Sequence, residues 1–167
     1  MSDRLRFRRD DPAEFQPVNG IFGQAARLVI KELYNEPKPH DSYITGVLEE
    51  FRDNNLTLVA TRGKDVTGVI STSVDPANPT VGTIEILVVD NNFRYNGVGT
   101  KLTRAALRLI MCQNPSLDTI KLVAVTENGQ EIFYTKLGFE PYESEEVGPG
   151  ILPMSASVET LRDTLKF

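Results

Sequence analysis

The amino-acid sequence predicts an α/β chain, and three stretches carry that expectation. From Thr83 to Cys112 an apolar run of strand length, TIEILVV, passes through a short polar turn into a strongly helical segment. Ile120 to Tyr142 repeats the order, with a β-rich run and then a helix that stops at a glycine. The N-terminal half supplies two helical patterns and a hairpin pattern.

Composition narrows the function classes before any motif is read. The 167 residues, 40% hydrophobic and 25% charged, fit one globular domain over 1–167 with a single core. No apolar stretch approaches the roughly 20 residues of a membrane span, and the charged start MSDRLRFRRDD lacks a signal-peptide core, so a cytoplasmic protein off the membrane is expected. One cysteine cannot form an internal disulfide, which agrees with a reducing compartment. The net charge of −5 argues against nucleic acid as a partner, tRNA included, and suits a cationic amine.

The elements follow in order. Leu5 to Arg9 alternates apolar and basic residues as a half-exposed first strand would. Ile21, Ala25, Leu28, Val29 and Leu33 mark a helix of about four turns, ended by the proline-containing loop Asn35 to His40. Asp41 or Ser42 then caps a second helix with Ile44, Val47, Leu48 and Phe51 on one side. His40, the single histidine, reads as a solvated loop residue, against the alternative of a role in acceptor binding or proton transfer, and gives no basis for a metal site. Leu56 to Thr61 and Val66 to Val74 form a hairpin around the four-residue loop RGKD, and Pro76 to Pro79 returns the chain to the central strand. That strand, Thr83 to Val89, is apolar on both alternating sets and is expected to be buried on both faces. Glu85 inside it must be partnered, protonated or near solvent.

In the helix after the turn, Val98, Leu102, Ala105, Leu109 and Cys112 share a side, which makes Cys112 a small core residue. Lys101, Arg104 and Arg108 form a basic stripe that reads as a solvated face, against the alternative of a face turned to a bound ligand's phosphates. Leu107 and Met111 fall off the apolar stripe, so they pack under another element or sit at a homodimer contact. Beyond Tyr142 the acidic ESEEVGPG segment reads as an exposed loop, Ile151 to Val158 as the last strand and ETLRDTLKF as a terminal helix.

The turn Arg94-x-x-Gly97-x-Gly99 carries the chemistry. A helix start leaves backbone N–H groups unpaired at the positive end of its dipole, so it attracts an anion such as a pyrophosphate. Glycines let the chain bend with φ > 0 and bring bare amides to phosphate oxygens, and Arg94 adds a planar cation. A dinucleotide fingerprint would need a third glycine where Leu102 stands, and a P-loop a longer spacing ending in Lys and Ser or Thr.

Strand, Arg94-x-x-Gly97-x-Gly99, helix resembles the acetyl-CoA motif of the GNAT superfamily of N-acetyltransferases, and Tyr134 ahead of Gly138-Phe139 is similar to the hallmark of that family's second half. The resemblance implies a mixed sheet flanked by helices and acetyl-CoA as acyl donor, with no metal. It assigns cofactor contacts to Leu87, Val88, Val89, Arg94, Tyr95, Asn96, Gly97, Val98, Gly99 and Thr100, with a main-chain N–H near Val88 or Val89 polarising the thioester. Glu85 falls where many members carry a general base, against the alternative of a strand residue paired with a basic neighbour. Tyr134 would protonate or hydrogen-bond the leaving sulfur, against the alternative of a core aromatic. The first two helices would wall the acceptor site.

The match has one departure. Members often carry an Asn seven residues before the Tyr and a small residue four before it, where this chain has Glu127 and Gln130, with Asn128 and Gly129 displaced by one. Asn128 remains the candidate for the pantetheine arm. The implied reaction is direct attack by a primary amine through a tetrahedral intermediate. An amine of pKa about 10.4 costs about 4 to 5 kcal/mol to deprotonate at pH 7, so a base matters. The competing reading is an acyl-CoA-binding module without chemistry, toward which the displaced Asn128 leans.

Overall fold

A computed structural model describes residues 4–9, 20–54, 56–145 and 148–167. It contains a mixed seven-stranded sheet in the order β1-β2-β3-β4-β5-β7-β6. The strands are β1 Arg6–Arg9, β2 Leu56–Arg62, β3 Asp65–Val74, β4 Val81–Val89, β5 Thr119–Val125, β6 Glu140–Pro141 and β7 Ile151–Ser157. The helices are α1 Ile21–Tyr34, α2 Asp41–Asp53, α3 Val98–Gln113, α4 Gln130–Lys136 and α5 Val158–Leu165. The chain divides into two compact units, Met1–Thr72 with Ile86–Leu107, and Ser73–Glu85 with Arg108–Phe167.

In the first unit, β1 and β3 pair antiparallel with β2. The apolar repeat of α1 buries Phe22, Ala25, Ala26 and Val29 against Ile44, Leu48 and Phe51 of α2 and against Val59, Val69, Ile86 and Val88 of the strands. α1 ends at Asn35 in the left-handed conformation (φ 54°), ahead of the proline that composition credits with the stop. α2 is capped by His40 rather than by Asp41 or Ser42: its Nδ1 accepts from the Ser42 N–H at 3.3 Å, which puts any neutral ring proton on Nε2. The hairpin turn is two residues, Gly63 and Lys64, because pairing extends to Arg62↔Asp65 and Gly63 takes φ 62°. All four residues of β1 are exposed, more than the half-exposure its alternation suggests.

In the second unit, β4 runs parallel to β5 from Val81↔Thr119 to Thr83↔Lys121, and β7 lies antiparallel between β5 and β6. Gly82 permits the approach, since a Cβ there would stand 2.9 Å from Ile120 Cδ1. Ser157, capping α5 through a bond from Thr160 N–H at 3.1 Å, ends the last strand one residue before Val158. Glu146 and Val147 of the acidic loop lie outside the described residues.

Two further expectations are corrected. β4 is not buried on both faces: Ile84, Ile86 and Val88 are buried, Thr83, Leu87 and Val89 are half-buried, and Glu85 is exposed. Cys112 is exposed. Apolar residues cover most of the circumference of α3, so their count locates its buried side poorly; at about 100° per residue the buried set Val98, Leu102, Ala106, Leu107, Ile110 and Met111 centres opposite the basic stripe, and Cys112 falls on the exposed side beside Lys101. Leu107 and Met111 are therefore buried within the chain and not at a subunit contact. Among the described residues no helix is long and apolar enough to cross a membrane.

Candidate functional site

The turn between β4 and α3 is built by Asp90. Its N–H donates to Thr67 O of β3 at 2.9 Å, its carboxylate accepts from Asn92 N–H at 2.8 Å, and its carbonyl accepts from Phe93 N–H at 2.8 Å. These bonds close a single 3-10 turn, Asn91–Phe93, over which the Arg62 guanidinium lies 5.6 Å from the Phe93 ring centre. Two left-handed residues then bend the backbone: Tyr95 at φ 64°, its side chain fully in solvent, and Gly97 at φ 76°. A Cβ at Gly97 would meet nothing within 4 Å, so its requirement there is conformational.

The consequence is a row of bare donors. Among the described residues none of the amides of Tyr95, Asn96, Gly97, Val98, Gly99 and Thr100 donates a hydrogen bond within the chain; the first helical bond is Lys101 N–H to Gly97 O at 3.0 Å. Residues 94–97 are exposed, and Gly99 and Thr100 lie in the first turn of α3. Successive N–H groups in such a bend form a concavity for an anion.

Arg94 is partly committed elsewhere. Its Nε donates to Val89 O at 3.2 Å and its terminal nitrogen to Glu32, whose side chain is 11% exposed. Lys31 joins the cluster at 3.5 Å from Glu32 and 3.7 Å from Asp90. The guanidinium thus ties α1 to the end of β4.

The Asp90 bond also sorts the amides of β4. Backbone groups alternate sides along a paired strand, and Asp90 N–H points to β3. Val88 does too, since its carbonyl lies 3.0 Å from where a Gly68 Cβ would stand. By that alternation the N–H groups of Leu87 and Val89 are turned away from β3.

Glu85 has no ion pair among the described residues; its Oε1 accepts instead from the Ser73 hydroxyl of β3. The alternative of a basic neighbour finds no partner among the described residues: Lys121, opposite Thr83, holds its Nζ 5.3 Å from the Tyr142 ring centre.

Tyr134 is 6% exposed on α4, and burial pushes its phenol up to about 12. Its ring meets Phe133 and Phe139 edge-on, with centres 5.1 and 5.8 Å apart. Its carbonyl accepts from Phe139 N–H at 3.1 Å while Gly138 N–H donates to Thr135 O at 3.0 Å, the paired bonds that stop a helix on a left-handed glycine. Gln130, in place of a small residue, folds back so that its Oε1 accepts from Val125 N–H at 3.0 Å, and Asn128 is exposed on the 3-10 turn Thr126–Asn128.

A family model described as "Acetyltransferase (GNAT) domain" matches residues 53–141, more than half of the chain. The chain belongs to the GNAT acetyltransferases. Solved structures agree on the fold. Ard1 from Thermoplasma volcanium is 23% identical, with TM-score 0.67 over 92% of this chain and 97% of that one. An aminoglycoside 6'-acetyltransferase type Ii is 19% identical, with TM-score 0.72 over 91% and 96%. PaiA N-acetyltransferase from Thermoplasma acidophilum, solved with coenzyme A, is 15% identical, with TM-score 0.63 over 92% and 99%. A search of curated proteins returns no match. In this GNAT enzyme the glycine turn before α3 was legible as a motif, whereas Ser73 and Glu32 carried no sequence signal: each meets its partner only through folding, 12 and 62 residues away.

Proposed function

We propose that this GNAT enzyme, acting as one domain over 1–167, moves an acetyl group from acetyl-CoA to a primary amine of a small cation, polyamine, antibiotic or protein. The observation that carries the reading is the run of six undonated amides from Tyr95 to Thr100 around the left-handed Gly97, which suits a diphosphate. Relatives of the same fold support it, one solved with coenzyme A and one named for acetylating aminoglycosides.

Acetyl-CoA supplies an activated thioester. The Val89 N–H is the donor for its carbonyl oxygen, and Asn128 the contact for the pantetheine arm. Glu85, exposed and without an ion pair among the described residues, takes the proton that the amine nitrogen sheds as the N–C bond forms. Tyr134 serves the departing sulfur. Its phenol at about 12 lies some 3.5 units above a thiol of about 8.5, so complete transfer would be uphill by about 5 kcal/mol and its part is hydrogen-bond donation to the developing thiolate.

The test is thiol release from acetyl-CoA across a panel of amines, with Tyr134→Phe beside the wild type. Turnover with at least one amine is expected, with a loss of about 100-fold in the variant while CoA binding persists. Tight CoA binding without turnover on any amine would favour a binding module, and an unchanged rate in Tyr134→Phe would remove that residue from the mechanism.

A further inference from the structure

We propose that Ser73 is a positioning residue for the acetyl-transfer reaction, acting through Glu85. This rests on the reading of Glu85 as the base. The Ser73 hydroxyl, half-buried on β3, donates to Oε1 of Glu85 on β4, and the carboxylate has no ion pair among the described residues.

The chemistry of that partner matters. A lysine or arginine would neutralise the carboxylate and compete with a cationic acceptor for it. A hydroxyl donor fixes the group while leaving its full negative charge. With Oε1 occupied, Oε2 is the oxygen left to accept a proton. The neutral form of the amine bonds through nitrogen to the acyl carbon as the carbonyl π pair moves to oxygen; the nitrogen becomes cationic, its N–H bond breaks with the pair kept on nitrogen, and that proton passes to Oε2, after which the C–S bond breaks and its pair leaves with the CoA thiolate.

The other hydroxyls of β3 have different work. Ser71 bonds Asn54 and Thr57, Thr72 bonds Leu56 O and Thr67 bonds Ala60 O, and all three side chains are buried. Ser73 sends its proton to a carboxylate near solvent. Position also favours a role in the site over one in folding, because a surface hydrogen bond contributes little to stability.

The experiment compares Ser73→Val with Ser73→Thr, both β-branched and suited to a strand, in the wild-type and Glu85→Gln backgrounds. Ser73→Val should lower kcat by about 3- to 10-fold with KM for acetyl-CoA unchanged, and Ser73→Thr, which keeps the donor, should restore most of it. In the Glu85→Gln background the Val and Thr variants should differ by less than about 2-fold, because the hydroxyl has lost the group it acts through. Equal rates for Val and Thr in a chain where Glu85→Gln is impaired would overturn the role of Ser73 alone. A fully active Glu85→Gln would remove the base and this proposal together.

Discussion

Phe139 N–H donates to the carbonyl of Tyr134 at 3.1 Å, and the two rings meet edge-on with centres 5.8 Å apart. The tyrosine and the Gly-Phe pair that follows it are therefore one device: a helix stop whose flanking side chains pack together. The same bonds that end α4 fix where the Tyr134 phenol sits.

Gly138 is the residue that device can least replace. It holds φ 98°, and a Cβ there would stand 2.7 Å from Thr160 Cγ2 and 3.2 Å from Thr164 Oγ1 of α5. Gly138→Ala should lower stability by about 2 kcal/mol or more, read from the urea midpoint, with activity lost in parallel. A midpoint shift equivalent to less than about 0.5 kcal/mol would contradict this.

Burial of Tyr134 makes stability depend on alkaline pH. The folded phenol ionises at about 12 against 10.0 unfolded, so from pH 10 upward the unfolded chain sheds this proton first. Its contribution is whole below pH 10 and fades as pH rises through 12. Between pH 9 and 12 the wild type should lose about 2 kcal/mol more than Tyr134→Phe, measured by denaturant titration of both proteins. Equal losses would show that the phenol is not desolvated in the fold.

Arg94 separates two roles for one side chain. Its planar fork reaches Val89 O and Glu32 at once, and a lysine cannot reproduce that geometry. Arg94→Lys should therefore cost about 1 kcal/mol of stability, a modest figure because the guanidinium side chain is 43% exposed. An arginine serving phosphate alone would leave stability untouched and raise the Kd for CoA only.

How much of this was legible beforehand follows from the range of the interactions. Strand, turn and helix around Gly97, and the helix stop at Gly138, are written in neighbouring residues and needed no fold to be seen. The faces of β4 and α3 were not, because both are apolar nearly all round and only packing decides which side is buried; Glu85 and Cys112 came out exposed for that reason. His40 capping α2 escaped notice because histidine is an uncommon cap and the usual candidates stood next to it. The order β5-β7-β6 and the bond from Ser73 to Glu85 depend on pairings that no local pattern records.

The measurement that bears most directly on the account is calorimetry of CoA against pantetheine, which lacks the phosphates, with the wild type and Gly97→Ala. If the bare amides from Tyr95 to Thr100 grip a diphosphate, CoA binds at least about 100-fold more tightly than pantetheine. The alanine variant, strained at φ 76° but with open space for its methyl, stays folded and loses most of that difference. Equal affinities for the two ligands, or no detectable binding of CoA, would contradict the acetyl-CoA cradle and the acyl-transfer reading built on it.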